Sequence, residues 1–88
     1  MLWEELESEL VSIADRVGIE VRHVRYEGEG GLCVLRGKRV LVVNDSLSVL
    51  DRVSVMAGAL AGLSELEEMY VLPEVRELLE KTTKEGQD

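Results

Sequence analysis

The sequence predicts a single α+β domain with one N-terminal helix, a three-stranded and mainly antiparallel sheet, and two C-terminal helices, in the order α-β-β-β-α-α. Apolar residues recur at helical spacing up to residue 17, crowd into three short segments between residues 19 and 43, and return to helical spacing from residue 49. With 88 residues, 45% of them hydrophobic, the chain has room for one core only. We assign residues 1–81 to this domain and expect residues 82–88, which have no apolar anchor, to fray.

The first helix is indicated by apolar residues on one face, among them Leu6, Leu10 and Ile13, with acidic residues and serines on the other faces. Glutamates near its start suit the positive end of the helix dipole. Gly18 stands where a helix takes a left-handed residue to end its last turn. The sequence therefore predicts a helix that ends at residue 17.

The middle of the chain predicts three strands, Ile19–Glu27, Leu32–Leu35 and Arg39–Val43. Alternation breaks in the first strand, which leaves either a bulge near Arg22-His23 or partial cover on both faces. Residues 28–31 form a flexible turn, and Arg36-Gly37-Lys38 joins the second and third strands as a tight basic hairpin. Because the third strand is continuously apolar from residue 41 to 43, we expect it to be central or covered on both faces.

The helix that follows the sheet has two candidate starts. Asn44-Asp45-Ser46 offers capping side chains, and Ser48 with Asp51 has the spacing of a capping box. The later turns of this helix consist largely of Ala and Gly. Because Gly within a helix costs about 1 kcal/mol relative to Ala, Gly58 indicates that another backbone lies close, and we expect the first helix to provide that contact.

The C-terminal part is predicted to contain an acidic turn, Glu65–Met69, capped by Ser64, and then a helix that begins at Pro73. The residue before a proline avoids the α region, and proline favours the first position of a helix. Leu72-Pro73 therefore separates the turn from the last helix.

Composition narrows the classes of function. The net charge is −8, from 18 acidic and 10 basic residues, so we expect no nucleic-acid partner. No apolar segment approaches the roughly 20 residues of a membrane span. The single Cys excludes an internal disulfide and favours the cytoplasm. Asn44 and Gln87 are the only side-chain amides while 32% of residues are charged, which favours a thermophilic source.

The candidate functional residues are basic side chains of the predicted strands and turns, together with the single cysteine: Arg22, Arg25, Cys33, Arg36 and Arg39. Charged side chains on edge strands mainly prevent aggregation. The alternatives are a site for an acidic partner and ion pairs between the helices of one protomer and the sheet of another. Cys33 could approach His23 if the first two strands pair across residues 28–31, although a turn centred near Glu29 would place Cys33 opposite Arg25 instead.

The sequence contains no recognisable zinc-binding motif or active-site constellation. Zinc sites need three or four side chains such as His or Cys, and the chain has one of each. We therefore expect neither a metal nor a cofactor. The glycines of residues 28–31 precede a strand rather than a helix, and Glu29 would repel phosphate, so a phosphate-binding loop is also not predicted.

Three segments carry a resemblance to a known family: Val17-Gly18-Ile19-Glu20-Val21, the strand and turn of residues 40–48, and Arg52-Val53-Ser54-Val55-Met56. Over residues 10–63 the chain resembles the front half of the ImmA/IrrE zinc peptidases. It departs from that family where the two His ligands and the Glu base would stand, at Ala57, Ala61 and Gly58. The resemblance implies the scaffold without the peptidase activity.

The chain is also similar to short bacterial proteins that pair a Gly-Gly-Leu-Cys hairpin with a Pro-x-Val-Arg helix and have no established activity. A bacterial source is expected on that basis. The leading hypothesis is a small, non-catalytic cytoplasmic protein that acts through protein–protein contacts and forms a homodimer. The alternative is a binder of small anionic ligands, or a minimal enzyme, that uses Cys33 and the four candidate arginines named above.

Overall fold

The computed structural model describes residues 1–85, with side-chain environments given through Thr82. The predicted α+β class and the order α-β-β-β-α-α are confirmed, with one short 3₁₀ helix added between the last two α-helices. The elements are α1 (Trp3–Arg16), β1 (Glu20–Val24), β2 (Gly30–Leu35), β3 (Lys38–Asn44), α2 (Val49–Leu60), the 3₁₀ helix (Ser64–Glu68) and α3 (Pro73–Glu85).

The sheet is mixed, with strand order β1-β3-β2. β1 runs parallel to β3, with Glu20 opposite Val40, and β2 runs antiparallel to β3, with Cys33 opposite Val40. β3, with its continuous apolar run from residue 41 to 43, is central, as predicted, because a strand flanked on both sides loses the most solvent contact. β3 separates β1 from β2, so the expectation that the first two strands could pair is wrong.

β1 contains no bulge, since its five residues pair one to one with β3. Val21 lies on the face toward the helices and is half-buried, whereas Glu20, Arg22 and Val24 lie on the other face and are exposed. The break in apolar alternation therefore reflects an edge strand whose end is open to solvent.

Three local turn and capping signals are confirmed, whereas Gly30 and Gly31, which were predicted to belong to the flexible turn of residues 28–31, form the start of β2. The β2–β3 hairpin turns at Arg36 and Gly37, both with positive φ (52° and 79°), as a two-residue type I′ turn requires. Gly18 has a φ of 79°, and the N–H groups of Gly18 and Ile19 donate to carbonyls of the last turn of α1. Ser48 caps α2, where its Oγ accepts from the Asp51 N–H at 3.2 Å, so the second of the two candidate starts is correct.

The core lies between one face of the sheet and the helices. α1 packs on β1 and α2, while α2 packs on β2 and β3. α3 lies against α2 and α1. Side chains at most 1% exposed fill this space, and in the helices and β3 they include Leu10, Ile13, Ala14, Leu41, Val53, Met56, Ala57, Leu60 and Val75.

Gly58 corrects an expectation. It is exposed, and a Cβ placed on it would meet only the Thr82 Cγ2 atom of α3, at 3.9 Å. The face of α2 that packs against its neighbours is carried by Val53, Met56 and Ala57, one to five residues earlier. Gly58 therefore does not mark a close approach of α1, and its cost to the helix is not offset by packing.

The predicted break at Leu72-Pro73 is confirmed, but the prediction that Ser64 caps the acidic turn is wrong, because Leu63 is the N-cap residue and no side chain caps this segment. The acidic turn is a 3₁₀ helix, and Pro73 occupies the first position of α3. α3 continues through Glu85, so the first four residues of the expected frayed tail are helical. Residues 86–88 lie outside the described residues.

Candidate functional site

The sheet face opposite the helices, which we call the open face, carries the candidate cysteine. Alternation along each strand places Arg22, Cys33, Leu35 and Val40 on this face. Val40 is only 2% exposed yet does not belong to the helix-packed core, so neighbouring strand side chains cover it. The open face is consequently apolar at its centre and charged at one margin.

A shallow groove of about 530 Å³ runs along that charged margin and is lined by Glu20, Arg22, Leu35, Arg36, Lys38 and Val40. Arg22 forms an ion pair with Glu20 inside this groove, so its charge is partly offset. Arg36 and Lys38 are exposed and form no ion pair within the described residues. These two hairpin residues give the groove its positive charge.

Arg39 does not belong to the groove. It lies on the helix-facing side of β3, where its Nη2 atom donates to the Val17 carbonyl at 2.8 Å and to Glu65 Oε2 at 2.7 Å. The hydrogen bond to Arg39 is the main cause that lowers the pKa of Glu65, and the same bond raises the pKa of Arg39. Arg39 therefore ties the end of α1 to the 3₁₀ helix.

Arg25 is also apart from the groove, in the chain segment that follows β1, where its charge contributes to lowering the pKa of Asp45. Of the candidate residues, Arg22, Cys33 and Arg36 lie toward the open face, and Arg39 lies on the opposite face. The candidate residues, although close in the sequence, therefore lie on different faces of the sheet and do not surround a common site.

A pair that the sequence analysis missed lies at the carboxyl ends of the parallel strands. His23 Nδ1 and Asp45 Oδ1 are 3.0 Å apart, and the pKa of Asp45 is lowered chiefly by this hydrogen bond, then by the charges of His23, Arg52 and Arg25. Residues at the ends of parallel neighbours meet at one edge of a sheet. Recognising β1 and β3 as parallel neighbours would have revealed the pair.

The His23–Asp45 pair is an imidazole oriented by a carboxylate, which can accept or donate a proton at Nε2. It does not approach Cys33, because β3 lies between the two strands and His23 and Cys33 belong to opposite faces of the sheet. Cys33 and His23 therefore do not form a thiolate–imidazole pair. Both His23 and Asp45 are open to solvent, with side-chain exposures of 52% and 36%.

Asn44 has a structural role that the sequence did not reveal. It is 1% exposed, and its Nδ2 group donates to the Tyr26 carbonyl at 2.7 Å and to the Gly28 carbonyl. Its Oδ1 atom accepts from the Ser46 N–H at 2.9 Å. The Asn44 side chain thus anchors the segment of residues 25–29, which connects β1 to β2 and crosses the end of β3.

The two edges of the sheet differ in chemistry. β2 has the sequence Gly-Gly-Leu-Cys-Val-Leu, without charge or proline, and Val34 and Leu35 are 65% and 47% exposed. β1 instead carries Glu20, Arg22 and His23 among its five residues. Uncharged edges are prone to pair with other chains, and charged ones resist it.

Within residues 1–85 no group of three or more His, Cys, Asp or Glu side chains is arranged to hold a metal ion. No helix in the described part of the chain combines the length and apolar character needed to cross a lipid bilayer. Comparisons of the chain with family models, with curated proteins and with solved structures find no match.

Proposed function

We propose that this chain is a small, non-catalytic cytoplasmic protein that acts through protein–protein contacts and self-associates as a homodimer. The observation that carries the proposal is the uncharged outer edge of β2 with its two exposed apolar side chains, Val34 and Leu35. An edge of this kind is a template for pairing with another chain, and natural monomers usually protect it with charge, proline or a covering segment.

The structural roles of four arginines support the same proposal. Four arginines hold the fold by donating to backbone carbonyls, and two of these also bind a carboxylate: Arg16, Arg39, Arg52 and Arg76. Arg52 is the most enclosed ion-pair partner of the four, with Nε at 2.6 Å from Glu7 Oε2 and side-chain exposures of 20% and 19%. These cations connect elements and are not free for a substrate.

Sedimentation equilibrium tests the proposal. We expect a mass of twice 9.8 kDa at micromolar concentration, because a chain of this size gains stability by burying an additional surface. A mass of 9.8 kDa at every concentration, together with no stoichiometric partner in a pull-down from the native cell, would refute the proposal.

A second candidate function is supported by the basic groove. Arg36 and Lys38, beside Leu35 and Val40, suit a small carboxylate or phosphate ester bound at the margin of the open face. A thermal-shift screen with carboxylates, phosphates and nucleotides tests it, because a ligand at 100 times its Kd stabilises by about 2.7 kcal/mol. An Arg36→Ala variant that keeps the full response to a hit would place the ligand elsewhere.

A further inference from the structure

We infer that two copies of the chain join through the outer edges of β2, antiparallel to one another, and form one continuous six-stranded sheet across a two-fold axis near Cys33. This inference rests on the proposed self-association and names its surface. The occupant of the edge is a second copy of this chain, and the arguments are the free hydrogen-bonding edge, the charges at its two ends and the fit of its side chains.

The outer edge of β2 offers hydrogen-bonding groups without a partner. β2 pairs with β3 on one side only, and no backbone hydrogen bond within the described residues joins its other side to a loop or helix. The segment between β1 and β2 does not cover this edge, since Asn44 holds it across the end of β3. A second β2 strand would satisfy these groups, because antiparallel strands exchange hydrogen bonds along their shared edge.

The charges at the two ends of β2 favour an antiparallel copy. Glu27 and Glu29 precede the strand, whereas Arg36 and Lys38 follow it, and all four side chains are exposed. Antiparallel pairing sets the acidic end of each copy against the basic end of the other, at both ends of the interface. Parallel pairing would instead bring like charges together, which is destabilising.

The side chains indicate the register. Directly opposite residues of an antiparallel pair lie on the same face of a sheet, so Cys33 can face Cys33 of the second copy, with the helices of both copies on one side. This register sets Leu35 opposite Gly31 and Val34 opposite Leu32. Gly31 has a φ of +132° and open space where a Cβ would lie, which leaves room for the exposed Leu35 side chain.

A lysine on the edge tests the surface. Val34→Lys adds a charge at a position that is already 65% exposed, so we expect the fold to persist and the dimer to be lost, with a dissociation constant weakened by at least a hundredfold. The matched control is Tyr70→Lys, which changes a 72% exposed residue of the segment before α3, next to Arg16 of α1, and leaves the dimer intact. Circular dichroism melts of both variants verify folding, and sedimentation equilibrium gives the dissociation constants.

Disulfide trapping tests the register. Diamide oxidises two Cys33 thiols to one disulfide and takes up the two protons and two electrons as its hydrazine, so a trapped dimer runs at double mass on a non-reducing gel. Facing residues of antiparallel strands have Cα atoms about 4.5–5.5 Å apart, within the range that a disulfide spans. We expect rapid trapping in the native chain, slow trapping in Val34→Lys and none in Cys33→Ser.

Charge-reversal variants test the contacts between the ends of the two β2 strands separately from the pairing of the strand edges. Glu29→Arg or Arg36→Glu alone turns two attractions per dimer into repulsions, and we expect the dissociation constant to weaken by about tenfold. The double variant Glu29→Arg with Arg36→Glu restores most of the affinity, because opposite charges again meet at each end. Double-variant affinity no better than that of the single variants would overturn the antiparallel arrangement.

The outcomes distinguish this surface from the proposal on which it rests. A native dimer that is insensitive to Val34→Lys and is not trapped through Cys33 overturns the β2 interface and leaves self-association standing. A native chain that is monomeric at all concentrations overturns both.

Discussion

The two edge strands of this sheet lie on either side of the same central strand, and they are built from opposite kinds of residue. β1 contains Glu20, Arg22 and His23 among its five residues, and these form an ion pair along the strand and a hydrogen bond to Asp45. β2 has neither charge nor proline over its six residues. In the proposed self-association, this difference would direct pairing to β2, because charged edges resist pairing with other chains.

The largest expected effect comes from removing the protection of β1. Replacing Glu20 and Arg22 together by Val would leave both edges of the sheet uncharged. We expect assemblies larger than a dimer, because a chain with two pairing edges adds copies without closing. Light scattering measures this growth. The control exchanges the charges, with Glu20→Arg and Arg22→Glu, and it should stay at the size of the native protein, whereas growth in that control would contradict the role of charge.

The second effect concerns the connection between the two edges. Asn44→Ala removes the donors to the Tyr26 and Gly28 carbonyls and the acceptor for the Ser46 N–H, and it leaves these backbone groups without partners. We expect a loss of about 2 kcal/mol or more in the free energy of unfolding, measured by urea denaturation. Ser46→Ala is the control, because the hydrogen bond to Asn44 uses the backbone N–H of Ser46 and not its side chain. This variant should have the same free energy of unfolding as the native chain.

The third prediction separates stability from association. Gly58 is exposed on α2, and a Cβ there would make an ordinary contact with Thr82 at 3.9 Å. Gly58→Ala should therefore raise the free energy of unfolding by up to about 1 kcal/mol. The association constant should not change, because Gly58 lies beside Thr82 of α3 and not on the face of α2 that packs on the sheet. A destabilised Gly58→Ala variant would mean that another chain packs closely on this helix.

The smallest effect is a dependence on pH. Asp45 and Glu65 have lowered pKa values in the folded chain, so the folded state binds fewer protons at those sites than the unfolded state does. Their stabilisation is present above the pKa of the unfolded carboxyl groups, near 4, and is lost as the pH falls through the lower folded values. Urea midpoints measured between neutral pH and pH 3 should decrease, and Asp45→Asn together with Glu65→Gln should flatten that decrease.

The local features of this fold are readable from the sequence because they depend on neighbouring residues. Gly18 ends α1, Pro73 begins α3, and Arg36-Gly37 turns the hairpin through positive φ angles that Gly adopts readily. The order of the strands is not readable in this way. β1 could pair with β2 or β3 by composition alone, and the choice depends on packing between residues far apart in the chain.

The candidate site was harder to predict for the same reason. Arg39 and Arg22 share a basic sequence neighbourhood, yet alternation on separate strands sends them to opposite faces of the sheet. His23 and Asp45 meet only because β1 and β3 are parallel neighbours. The environment of Gly58 was not predictable, because a helical glycine is compatible both with close packing and with open solvent.

The strand order has a consequence for the kinetics of folding. β2 and β3 are joined by a two-residue turn, whereas β1 pairs with β3 across 20 residues of chain, as the Glu20–Val40 register shows. Closing the longer loop costs more entropy, so we expect the hairpin to be formed in the folding transition state and β1 to add afterwards. Substitutions in the hairpin should then slow folding, while those in β1 should speed unfolding. Until β1 adds, one edge of β3 is open, and we expect the docking of β1 to protect the refolding chain from pairing with others.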